Sequence, residues 1–187
     1  MSDAGAIFTP MNGALANPPA GEYRITCAGE AASAELAGAI AGLARIGDVI
    51  ALSGSIGAGK TVFARGFVRA LTKADEEVPS PTFTLLQTYD CPRGPIHHYD
   101  LYRLERAAEA YEIGIEESFA DAITLIEWPD RIAALRAEHW LDIEFSMDPS
   151  RPEIRKLVLR AGISWRERLA RLAIGRAGLT PAEKRND

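Results

Sequence analysis

The chain has 187 residues, 47% of them hydrophobic and 25% charged, with a formal net charge of −5. This is an ordinary composition for one globular domain with a sizeable core, and its acidity excludes a nucleic-acid scaffold as the default reading. No apolar run approaches the roughly 20 residues needed to span a bilayer. The two cysteines, Cys27 and Cys91, form neither a CxxC pair nor a metal-ligand spacing, which points to a reduced, cytoplasmic protein with no membrane contact.

Residues 1–20 carry Gly, Ala, Asn and Pro without periodicity and read as a flexible leader without a signal-peptide pattern. Residues 21–176 read as a single domain, and 177–187 as a flexible tail. A short first strand is expected over 23–27, then a helix over 30–45 that stops near Gly47. Residues 48–53 form a short apolar run of the buried-strand kind. A glycine loop follows, then a helix from about Lys60 to Thr72. Strands are expected over 82–89 and 96–102, with a turn around Pro92-Arg93-Gly94-Pro95. Residues 105–120 suit a helix interrupted near Gly114, and 122–126 another buried strand. Pro129 suits the first turn of a short helix. Residues 139–147 and 154–160 read as a strand pair, and 164–175 as an amphipathic helix. Helices mixed with strands imply an α/β sandwich, and the consecutive strands over 82–102 imply a sheet that is partly antiparallel.

Charge is unevenly spread. Residues 1–150 hold 11 Lys/Arg against 22 Asp/Glu, whereas 151–187 hold 10 against 4. The basic segment reads as a solvated Arg-rich helix, with contact to RNA or an acidic partner as the alternative.

The pattern GxxxxGK[ST], the Walker A signature, is met by Gly54, Gly59, Lys60 and Thr61. Glycines let backbone N–H groups converge on phosphate oxygens, and the following helix aims its N-terminal dipole at the same anion. Lys60 is expected on the β- and γ-phosphates, and the Thr61 hydroxyl on Mg²⁺. The loop lies between a buried-strand signal and a helix signal, the context such a site requires. A P-loop also needs an acid at the end of a neighbouring strand. Glu127, closing Ile123-Thr124-Leu125-Ile126, supplies one, and Asp100 is a second candidate. The adjacent His97 and His98 point to opposite faces of a strand and cannot easily chelate one ion, so one is expected buried and one exposed. The chain lacks an Asn-Lys-x-Asp run and a Leu-Ser-Gly-Gly-Gln run, which removes the signatures of small GTPases and of ABC-transporter ATPases. ATP is the expected nucleotide.

Four motifs in order, Leu52 to Thr61, Ser80-Pro81-Thr82-Phe83-Thr84-Leu85, His98-Tyr99-Asp100-Leu101-Tyr102-Arg103-Leu104 and Ile126-Glu127-Trp128-Pro129, resemble the TsaE (YjeE) family. These are bacterial ATPases required for threonylcarbamoyladenosine at position 37 of tRNA. The resemblance implies a P-loop NTPase-type three-layer sandwich with a mixed central sheet. It implies that Gly57, Ala58, Gly59, Lys60, Thr61 and Val62 wrap the phosphates of ATP, with Thr61 and Glu127 on Mg²⁺. Thr82 falls in a switch-like loop near the γ-phosphate, bounded by Pro79 and Pro81. Asp100 matches an acid needed for turnover, acting on water, metal or loop position. Trp128 follows the glutamate as in the family. Glu30 falls where the family places its adenine end, and Arg151 resembles a late arginine near the nucleotide. The implied partners are TsaB and TsaD, with tRNA reached through that pair, and ATP hydrolysis would reset the assembly between cycles. A small-molecule or nucleoside kinase on the same fold, and a nucleotide-gated interaction module without hydrolysis, are the alternatives.

Overall fold

The computed structural model describes residues 21–175. The expected leader at 1–20 and tail at 177–187 lie outside the described residues. In chain order the elements are β1 (Glu22–Ala28), α1 (Gly29–Ala41), β2 (Val49–Gly54), α2 (Lys60–Leu71), β3 (Leu86–Cys91) and β4 (Gly94–Asp100). Then come α3 (Ala108–Glu112), α4 (Ile115–Asp121), β5 (Ile123–Glu127), a 3-10 helix (Pro129–Leu135), β6 (Leu141–Asp148), β7 (Arg151–Ala161) and α5 (Ile163–Gly175).

All seven strands form one sheet in the order β1-β7-β6-β2-β5-β4-β3. The central strands β6, β2, β5 and β4 run parallel, whereas β3, β7 and β1 pair antiparallel. The sequence dictates this division. Strands β2 (VIALSG) and β5 (ITLIE) are apolar on both faces, as a sheet covered by helices on both sides demands. Edge strand β3 (LQTYDC) mixes polar and apolar residues, and only Tyr89 in it is buried. Helices α1 and α2 cover one face, over a core that includes Leu36, Ile40, Phe63, Phe67, Leu125 and Ile143. Helices α3 and α4 and the 3-10 helix cover the other, around Tyr99, Leu104, Ile115, Ile126 and Trp140. The result is the expected three-layer α/β sandwich with a mixed sheet.

In α2, Phe63 and Phe67 lie one turn apart and are fully buried, each contributing about 2 kcal/mol of apolar burial. Helix α1 crosses closely because Gly66 lacks a side chain: a Cβ there would come within 2.8 Å of the Ala34 Cα.

Several expected elements end differently: the helix over 30–45 stops at Ala41, and the strand over 96–102 runs Gly94–Asp100. The strand over 82–89 begins only at Leu86, because Pro79, Pro81 and the left-handed Leu85 (φ 64°) hold the preceding residues in a turn. The turn before β4 is tighter than its four residues implied: Cys91 pairs with Gly94, leaving Pro92-Arg93 at the tip.

Helix α5 is fixed to the sheet by Trp165 and Leu169, both buried, and by a two-pronged ion pair. The Arg168 Nη1 and Nη2 atoms donate to Asp48 at 2.6 and 2.7 Å, just before β2, and Nη1 also reaches the Leu43 carbonyl. Removing one member of such a shielded pair strands the other. Arg168→Ala is therefore expected to lower unfolding free energy by about 3 kcal/mol, measured as a fall in the urea midpoint at unchanged slope.

Candidate nucleotide site

The parallel strands all end at one edge of the sheet. Gly54 closes β2, Asp100 closes β4 and Glu127 closes β5, with Asp100 and Glu127 directly opposite in register. Residues from distant parts of the chain converge there, at the carboxyl end where ligands of open α/β sheets bind.

The loop from Gly54 to Gly59 leaves β2 and enters α2. At Gly54 (φ 130°) a side chain would run into the Phe145 carbonyl of β6. Gly59 caps α2 in the left-handed region (φ 107°), and no side chain caps this helix. Its first-turn N–H groups are therefore available to an anion. At Gly57 a Cβ would meet nothing within 4 Å, so the cradle opens to solvent. Ala58 is buried, and Val62 is half-buried in the first turn of α2.

Lys60 curls back over the loop. Its Nζ donates to the Gly54 and Ser55 carbonyls at 2.8 and 2.9 Å and lies 4.0 Å from the centre of the Trp128 ring. Burial pushes its ammonium pKa down, opposed by the negative charges of Glu127 and Asp100. The Thr61 hydroxyl donates to Glu127 Oε2 at 2.9 Å. A hydroxyl keeps two lone pairs after donating its proton. Thr61 can therefore stay bound to Glu127 while presenting oxygen to a cation. These hard oxygens suit Mg²⁺, which takes few protein ligands and relies on phosphate and water for the rest. Among the described residues no three His, Cys, Asp or Glu side chains are grouped for a protein-only metal centre. Glu127 and Thr61 thus fit a cation brought with a nucleotide.

Asp100, opposite Glu127, makes contacts of its own. It accepts hydrogen bonds from Thr82 Oγ1 at 2.5 Å and from the Tyr102 N–H at 3.1 Å. Ser80 Oγ lies 2.8 Å from Thr82 Oγ1 and 3.1 Å from Asp100 Oδ2, and its single proton goes to one or the other. Of the three roles open to Asp100, the geometry favours holding the loop. The loop's far side is anchored by the Arg103 guanidinium, 4.1 Å above the exposed Phe83 ring.

Trp128 stands in the left-handed region (φ 61°, ψ 52°), which costs a non-glycine residue about 1–2 kcal/mol. Its N–H donates to the Leu52 carbonyl at 3.2 Å, and its ring packs on Tyr102 with centroids 5.0 Å apart. That backbone geometry brings the indole over Lys60.

The two histidines do face opposite ways. His98 is fully buried on the α2 side. His97 is half-buried rather than exposed, bonded to Ser118 at 2.8 Å, and burial lowers its pKa. Glu30 is exposed in the first turn of α1. Arg151 sits at the β6–β7 turn, where its exposed side chain pairs with Asp148 at 3.3 Å. The arginine beside the loop is Arg155, whose Nε lies 3.6 Å from the Cβ position of Gly59. Arg155 carried no local motif. It arrives through β7, where it pairs with Cys27 of β1. Ser80, Tyr102 and His98 lay inside quoted motifs, but no spacing marked them as contacts.

The family model for the threonylcarbamoyl adenosine biosynthesis protein TsaE matches residues 27–156, a segment that contains the P-loop, Asp100 and Glu127. The chain belongs to the TsaE family. Family members named tRNA threonylcarbamoyladenosine biosynthesis protein TsaE include one from Rickettsia bellii, 38% identical over 100 residues, covering 54% of this chain and 69% of that one. The Bacillus subtilis member is 40% identical over 89 residues, covering 47% of this chain and 54% of that one. The chain thus spans about half to two thirds of the length of such relatives. The crystal structure of Bacillus subtilis YdiB superposes with a TM-score of 0.67 at 26% identity, covering 82% of this chain and 95% of that one. Among the described residues no helix is long and apolar enough to cross a membrane.

Asp100→Ala removes the acceptor shared by Ser80, Thr82 and Tyr102. Exchange of the Leu85 amide, whose N–H donates to the Pro81 carbonyl across the loop, is expected to accelerate at least about 10-fold, equivalent to about 1.4 kcal/mol of lost local stability, while β2 and β5 keep their protection.

Proposed function

We propose that this chain is a Mg²⁺-dependent ATPase of the cytoplasm that serves threonylcarbamoyladenosine formation at position 37 of tRNA. It binds and hydrolyses ATP and so resets a TsaB–TsaD pair between cycles, meeting tRNA only through that pair. The observation that carries this reading is the hydrogen bond between Thr61, first turn of the phosphate-loop helix, and Glu127 on the neighbouring strand. It couples a phosphate cradle to a metal-side carboxylate, the combination phosphoryl transfer requires.

In this reading the N–H groups from Gly57 to Val62 surround the phosphates. Lys60 leaves its carbonyl partners for the β- and γ-phosphate oxygens. Thr61 and Glu127 hold Mg²⁺, whose charge offsets that of the phosphates. Arg155, beside Gly59, shares with Arg151 at the β6–β7 turn the role of the nucleotide-side arginine. Glu30 stands at the same edge of the sheet, since β1 and β2 run in the same direction, and borders the nucleoside end. Thr82 is the switch. Its hydroxyl bonds Asp100 in the free protein, and a γ-phosphate competes for it, so hydrolysis returns the loop to Asp100. The reset of TsaB–TsaD follows from that order change. Turnover by the isolated chain is slow, because none of the four motifs supplies an arginine finger.

The test is ATP turnover by the purified chain, alone and with TsaB, TsaD and tRNA. Turnover is expected to rise with the pair and to fall about 100-fold in Glu127→Ala, with ATP binding retained. Absence of ATP binding, or turnover indifferent to both the pair and Glu127, would overturn the proposal.

A further inference from the structure

Glu127 has a second partner that phosphate-loop chemistry does not require. Its Oε1 lies 3.0 Å from His98 Nε2, and both side chains are nearly or fully buried. A carboxylate only accepts hydrogen bonds, so Nε2 carries the proton and donates. The other ring nitrogen, Nδ1, is buried without a hydrogen-bond partner. Among the described residues the Nε2–H···Oε1 bond is therefore the only side-chain hydrogen bond that fixes this ring. A residue kept for packing alone would be apolar here, because burying an imidazole with one nitrogen unpaired is unfavourable.

The placement is specific. His98 stands opposite Leu125 on β5, two residues before the Asp100–Glu127 pair, and so projects to the same face of the sheet as Glu127. Glu127 also lies close enough to Lys60 for its charge to act on the ammonium. Left unanchored, the carboxylate would be drawn to Lys60, giving an ion pair that withdraws both groups from a nucleotide and its cation. In the structure this does not happen. Lys60 bonds the Gly54 and Ser55 carbonyls, and the two oxygens of Glu127 are divided between Thr61 and His98.

We infer that His98 is a positioning residue for the cation site. Its Nε2–H fixes Glu127 toward Thr61 and away from Lys60, which sets divalent-metal affinity without the histidine touching metal or nucleotide. Hydrogen bonds to a metal-side carboxylate act this way in general. The inference rests on the ATPase reading and extends it.

The experiment uses the full chain, a non-hydrolysable ATP analogue and Mn²⁺, with bound Mn²⁺ read by electron paramagnetic resonance. His98→Phe keeps an aromatic ring and removes the donor. His98→Gln places an amide N–H near the position of Nε2. The Phe variant is expected to raise the Mn²⁺ concentration for half-saturation by about 10–100-fold, with analogue affinity in EDTA unchanged and a cooperative thermal transition retained. The Gln variant is expected to bind Mn²⁺ close to the parent's affinity. Parent-like Mn²⁺ binding by His98→Phe would overturn the inference, as would a Gln variant as weak as Phe. A parent chain that binds no Mn²⁺ with the analogue would instead overturn the ATPase reading, and this inference with it.

Discussion

The bond from the Thr61 hydroxyl to Glu127 joins groups 66 residues apart, and the site depends on it. It ties the first turn of α2 to the end of β5. For the two to meet, β2 must run parallel to β5 in the register that places Leu52 against Glu127. A slip of one residue would turn Glu127 to the opposite face and separate the cradle from its carboxylate. The buried residues of the two strands, 49–52 in β2 and 123–127 in β5, prevent that slip, because each has a buried position to lose.

Stability and function compete at this edge. The sandwich buries most apolar residues of the central strands, with Met147 near the end of β6 exposed, then accepts unfavourable features where those strands end. Lys60 is nearly buried, Trp128 holds a left-handed backbone, and His98 keeps an unpaired nitrogen. Strain of this kind is tolerated at functional sites, and the Tyr89 hydroxyl and Trp165 indole N–H, away from this edge, are also buried without a partner. The opposite end of β2 does the contrary. There Asp48, Arg168 and the Leu43 carbonyl satisfy one another and secure α5.

Most of the fold was legible because its signals are local. Apolar runs marked β2 and β5, Gly114 divided α3 from α4, and the glycine loop lay between a strand and a helix as its chemistry requires. The phosphate loop and Glu127 were legible for the same reason, since each sits in a short motif with a fixed relation to a strand end. What escaped depended on tertiary register. Arg155 has no motif and reaches the loop only because β7 crosses between β6 and β1. Thr82 was placed in a strand by its β-branched neighbourhood, but the flanking prolines and the hydroxyl bond to Asp100 make a turn instead. The partner of His98 could not be read from a pair of adjacent histidines, because strand alternation says that they diverge but not which carboxylate awaits one of them.

The central claim is that Thr61 and Glu127 act together as the cation side of a nucleotide site. It is tested most directly by calorimetric titration of a non-hydrolysable ATP analogue into the parent chain and into Thr61→Val, with and without Mg²⁺. Valine keeps the branched shape and removes the hydroxyl. The account predicts that Mg²⁺ strengthens binding to the parent, that Thr61→Val loses this gain, and that the two bind equally in EDTA. A valine variant that retains the full Mg²⁺ gain would contradict it.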